Sequence, residues 1–118
     1  MAEYGLFIGW GSPRTGRELA ALQLFRESVD YWNGLKAAGE IEDLDLVLLN
    51  PHGGDLSGFA LLKGERERLA RMRMSPEFRR VVVRAGLCLD GVGVVEASVN
   101  DGVMDSMQQF TDAVGELV

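Results

Sequence analysis

The first apolar block of the chain, Tyr4-Gly5-Leu6-Phe7-Ile8-Gly9-Trp10, is apolar at odd and even positions alike and stops at Gly11-Ser12-Pro13. A short β-branched and aromatic run of this kind predicts a strand covered on both faces. The period then changes. Leu19, Leu22, Phe25, Val29, Trp32 and Leu35 recur every three or four residues, which predicts one helix with a single apolar stripe. Thr15 and Glu18 have the spacing of a capping box, so the helix is expected to start at Thr15. Gly39 is expected as the residue that ends it, just past Ala38.

Alternation follows. Leu44, Leu46 and Leu48 are interleaved with Asp43, Asp45, Val47 and Leu49, a strand with one wholly apolar face. Pro51 to Gly58 is a turn cluster, and Phe59-Ala60-Leu61-Leu62 returns as a third strand, apolar on both faces. Glu65 to Arg73 reads as a helix with Leu69 and Met72 inward. Ser75-Pro76-Glu77 restarts it with a serine N-cap and a proline at the first helical position. Phe78, Val81, Val82 and Ala85 form its stripe, and Gly86 is expected to close it. Asp90-Gly91 is a turn signal, and Val92 to Ala97 is a fourth strand. Asn100 or Asp101 caps a last helix whose apolar residues Val103, Met107, Phe110, Val114 and Leu117 form a narrow seam. That helix is expected to dock on the rest.

The order strand, helix, strand, strand, helix, strand, helix is an α+β, ferredoxin-like βαββαβ arrangement with a C-terminal helix. It predicts a four-stranded antiparallel sheet with the first and third strands central. One domain over residues 1–118 is expected, with a core at 4–98 and the extension at 101–117. Both long helices would pack on one side of the sheet. On the other, Leu6 and Ile8, with Phe59 or Ala60, Leu61 or Leu62, and Leu46 or Val47, predict a second apolar face. That is more than a monomer normally exposes, so a homodimer through sheet faces is expected.

Composition narrows the function classes. The chain has 118 residues, 47% of them hydrophobic, with one cysteine, one histidine and a formal net charge of −6. One cysteine excludes an intrachain disulfide, and one histidine excludes a zinc site built from several His and Cys ligands. The acid excess argues against a nucleic-acid partner or an anionic membrane. No apolar run approaches the length of a membrane span, and Met1-Ala2-Glu3-Tyr4 lacks a signal peptide's basic start. A cytoplasmic protein is expected. The charge is also uneven: residues 63–84 hold eight bases and three acids, whereas residues from Asp90 onward hold six acids and no base.

A βαββαβ chain of this length with two-sided strands resembles the dimeric α/β-barrel superfamily, and within it the YCII-related and antibiotic-biosynthesis-monooxygenase-like groups. The segment Gly53-Gly54-Asp55-Leu56-Ser57-Gly58-Phe59-Ala60-Leu61-Leu62, followed by Leu69 and Ser75-Pro76-Glu77-Phe78, is similar to the entry of YCII-related chains into their third strand and second helix. The resemblance implies a sheet-to-sheet dimeric barrel and a small-molecule pocket between sheet and helices. In YCII-related proteins it also implies a His and Asp pair at the active site.

His52 and Asp55, three residues apart in the glycine-rich loop, are the candidate catalytic pair here, with Asp55 orienting the imidazole as a general base. The chemistry would be proton transfer or cofactor-independent oxidation of a small, partly apolar substrate. The competing account of both residues is a polar hairpin tip. Haem-binding members of the superfamily make His52 the candidate axial ligand, but its loop setting argues against haem, and no cofactor is expected. Tyr4, Trp10, Trp32 and Glu96 are the candidate ligand-binding residues. Trp32 is also explained by core packing and Glu96 by an edge-strand charge. The Gly9-to-Gly16 turn lacks the ending of a phosphate loop. Cys88 reads as a small buried hydrophobe. The competing class throughout is a non-catalytic dimeric binding or regulatory module.

Overall fold

The structure, a computed structural model, describes residues 1–117. Its elements run β1 (Tyr4–Trp10), α1 (Glu18–Ala37), β2 (Asp43–Leu48), β3 (Gly58–Gly64), α2 (Arg66–Met74), α3 (Pro76–Cys88), β4 (Gly93–Ser98) and α4 (Gly102–Glu116). The strands form one antiparallel sheet in the order β2-β3-β1-β4. The two strands that read as apolar on both faces are therefore the central ones. The sheet is open, with β2 and β4 as its edges, and does not close into a barrel within the chain.

Register settles which side chains face which layer. Leu6 pairs with Leu62 and Ile8 with Ala60, and all four are buried beneath the helices with Trp32, Leu69, Met72 and Phe78. Leu6 and Ile8 thus belong to the helix side, not to the opposite face where the expected dimer surface placed them. Alternation at every second residue assigns the open face instead to Phe7, Phe59, Leu61, Val47, Val95 and Ala97. Phe7 and Phe59 stack there with centroids 5.2 Å apart. At one corner of this face, Lys63 Nζ lies 2.8 Å from Asp45 and 3.5 Å from Asp43, which Lys36 also reaches at 3.4 Å.

Three helix readings need correction. Thr15 does not cap α1; Gly16 turns at φ 86° and its N–H donates to the Glu18 carboxylate, so the helix begins at Glu18. Helix α3 runs past Gly86 to Cys88, which makes Cys88 its last residue and not a linker position. Its start is as expected: the Ser75 hydroxyl accepts from the Phe78 N–H at 3.3 Å, with Pro76 at the first position. Helix α4 is tethered but not docked. Gly102 is its one buried residue, while Met107 and Phe110 of the seam are 56% and 72% exposed.

Candidate functional site

An apolar cavity of about 320 Å³ lies between the sheet and helices α1 and α3. Its walls follow from element geometry. Strand β1 contributes Ile8 and Trp10 from its helix-facing side, α1 contributes Ala21, Leu24, Phe25, Ser28 and Trp32 from one stripe, and α3 contributes Phe78, Val81, Val82 and Ala85. Trp10 and Phe25 meet edge to face at 6.0 Å, bracing the wall where β1 ends. Just beyond, Gly11 allows a close approach of chains: its N–H donates to the Asp90 carbonyl at 2.7 Å, and a Cβ there would lie 2.8 Å from that same oxygen. The exposed wall residues Glu18, Leu22 and Leu48 mark the mouth.

The cavity is almost wholly apolar. Among the described residues Glu18 is the one charged side chain in its lining, and no Lys or Arg lines it. Trp32 is 2% exposed, and its indole Nε1 is the one buried side-chain nitrogen or oxygen without a hydrogen-bond partner among the described residues. Ser28, one helical turn before Trp32, is 4% exposed.

The candidate residues separate into three places. Trp10 and Trp32 come together in the cavity wall. Tyr4 and Glu96 share a different, polar cleft of about 240 Å³ with Arg66 and Asp105, where β4 and α2 approach α4. There the Arg66 guanidinium lies 4.8 Å over the Tyr4 ring and donates to its hydroxyl at 3.1 Å. His52 and Asp55 are both exposed, and neither lines the cavity. The His52 ring is engaged by its own loop: Nε2 lies 2.8 Å from the Leu56 carbonyl, and Nδ1 accepts from the Gly54 N–H at 3.3 Å. The Asp55 carboxylate is not among its partners. Phe25 and Phe78 lie on stripes that the spacing predicts, but Ala21 does not: α1 buries Ala21, Leu24, Ser28 and Trp32, while Leu19 and Leu22 of the expected stripe are exposed. Ser28 carried a signal that went unused, its four-residue spacing from Trp32 on the same helix face.

Among the described residues no cluster of three His, Cys, Asp or Glu side chains could hold a metal ion, and no helix is long and apolar enough to cross a membrane.

No protein-family model matches the chain, and a search of curated proteins finds none similar to it. Solved structures do match. A dimeric ferredoxin-like protein of unknown function from Jannaschia sp. CCS1 superposes with a TM-score of 0.61 over 81% of this chain and 99% of its own, at 14% identity. The fold is ferredoxin-like. An EthD-family protein from Bacillus halodurans shares it, with a TM-score of 0.61 over 83% of this chain and 99% of its own, at 8% identity. So does SnoaB, a cofactor-independent oxygenase from Streptomyces nogalater, with a TM-score of 0.56 over 84% and 95% and 11% identity. At these identities the ferredoxin-like likeness is one of fold.

Proposed function

We infer that this chain is a small-molecule-binding protein that works as a homodimer, its ligand held in the cavity between the sheet and helices α1 and α3. The observation that carries this reading is the void itself: about 320 Å³ of apolar space, at the lower end of the ~300–1,000 Å³ usual for ligand pockets. An apolar lining that is open to solvent at its mouth gains by exchanging water for an apolar ligand.

The dimer reading is supported by the open sheet face, where Phe7, Phe59, Leu61 and Val95 are left without a covering layer. A second copy laid on that face would complete the two-sheet barrel. The finer reading, acid–base catalysis by His52 and Asp55 in the manner of YCII-like or monooxygenase-like enzymes, has weaker support than the binding module. The imidazole would first have to give up its bonds to Leu56 and Gly54, and it lies outside the cavity wall. The buried Cys88 thiol suits a reducing, cytoplasmic setting.

A thermal-shift and calorimetric titration with small neutral aromatic probes tests the binding reading. Saturation at about 100 times the dissociation constant adds about 2.7 kcal/mol of stability. Ala21→Phe, which fills the void from α1, is expected to abolish the shift while leaving the circular dichroism spectrum native. His52→Ala is expected to leave the affinity unchanged. Loss of binding in His52→Ala alone would return the loop pair to the lead, and no binding of any probe by the wild type would sink the reading.

A further inference from the structure

The apolar walls of the cavity carry no preference for charge; its mouth does. Among the described residues Glu18 is the one charged side chain in the lining, and it is exposed at the rim with Leu22 and Leu48. Its carboxylate is held in place: Oε1 accepts the Gly16 N–H at 3.1 Å, across the turn that Gly16 makes at φ 86°. The Glu18 backbone N–H, and then that of Gly16, keep the carboxyl below the usual carboxylate range, so the rim stays anionic into mild acid. Among the described residues no Lys or Arg lies within ion-pair distance of it. Arg14, in the same turn, is engaged by Asp90 at 3.5 Å and by the Leu89 carbonyl at 3.4 Å, and Arg17 is not part of the wall. An acid in the first turn also answers the positive end of α1; its place in the cavity wall gives the same carboxylate a second role.

Where that charge sits decides what a ligand can carry. Hydrocarbon inside the cavity exchanges water for apolar contact, while a head group at the open mouth keeps its water. A cation there gains the field of Glu18 without being buried, and an anion meets a like charge. Resting on the cavity as the binding site, we propose that it takes an amphipathic amine, with an aromatic or branched hydrocarbon body inside and a protonated amino group at the mouth, paired with the Glu18 carboxylate. Glu18 is here a specificity-determining residue: it selects the head group, and the apolar wall selects the body.

Phenylpropylamine, phenylpropanol and phenylbutyrate share one phenylalkyl arm and end in an ammonium, a hydroxyl and a carboxylate. Titrated calorimetrically into the wild type, the amine is expected to bind about fivefold more tightly than the alcohol, the size of an exposed ion pair, and the carboxylate most weakly. Glu18→Gln, whose amide oxygen can still accept the Gly16 N–H, is expected to bring amine and alcohol to equal affinity. Glu116→Gln, the same loss of charge at the far end of α4, is expected to leave the preference intact, which separates Glu18 from the net charge of the chain. Two readouts use the unaltered protein. The preference for the amine shrinks from low to high salt, and the Glu18 side-chain carboxyl carbon resonance moves with the amine and stays in place with the alcohol. Equal wild-type affinities for amine and alcohol, a preference that survives Glu18→Gln, or one that falls as far in Glu116→Gln, overturns the proposal while leaving the cavity as a site. Failure of all three probes to bind overturns the site itself.

Discussion

Asp43 shows how a single exposed side chain can carry a measurable pH dependence. Its carboxyl is held below its ordinary value of 3.8, first by the Leu44 backbone N–H, then by Lys36, with Lys63 adding a favourable field. A depressed carboxyl contributes stability above its unfolded value, and that contribution is lost as pH falls through the folded value. Stability is therefore expected to decline from about pH 5 downward, and Asp43→Asn is expected to lower the plateau near neutrality slightly and so make that acid limb shallower in urea melts. The effect is small, because the group is open to solvent; an identical acid limb in Asp43→Asn would exclude it. Residue-scale legibility in the candidate site was uneven. Trp10 and Trp32 could be picked out as large aromatics at the end of a central strand and on an inward stripe. Tyr4 and Glu96 share their sheet face, but they lie at its far end, by Arg66 and α4. Periodicity tells which face a residue occupies; it carries no information about where packing leaves a void.

At the scale of elements, signals that close on themselves were reliable. Ser75 and Pro76 sit within one turn of the bonds they make, so α3 begins where its residues say. The Thr15 and Glu18 pair has equally good spacing, but Gly16 gives the chain a left-handed turn that redirects the Glu18 carboxylate to its own loop. The C-terminal helix differs for another reason. An apolar seam implies a surface that covers it, and nothing in the seam says whether that surface belongs to the same chain. What holds α4 is its first turn, with the Ser98 and Ser106 hydroxyls paired just beyond it. A Cβ on Gly102 would collide with the Glu3 backbone carbonyl, and Asn100 Nδ2 donates to the Ala2 carbonyl at 2.7 Å. Gly102→Ala is accordingly expected to lower stability by about 1–3 kcal/mol through overpacking. Gly115→Ala, in open space near the other end of the helix, is expected to be neutral or stabilising. Differential scanning calorimetry on the two variants checks the contrast, and equal shifts would refute the tether.

For the molecule as a whole, the radius of gyration is 15.9 Å, against about 13–14 Å for a compact chain of this length. The excess reflects α4 standing off the core. Two apolar surfaces are thus uncovered, the open sheet face and the α4 seam, and both were visible as periodic residues before any coordinates. Their orientation was not, because a strand apolar at every position does not reveal which half faces the helices. Sedimentation is expected to show a dimer at micromolar concentration, and Leu61→Asp on the open face a monomer. A wild-type monomer would refute the dimer reading, and a dimeric Leu61→Asp its placement on the sheet. The cavity has one more consequence. The chain contains two tryptophans, and both line it, so all of the protein's indole emission arises from the walls of its own site. Any occupant changes the colour or yield of that light, and the unlabelled protein reports for itself whether the cavity is filled.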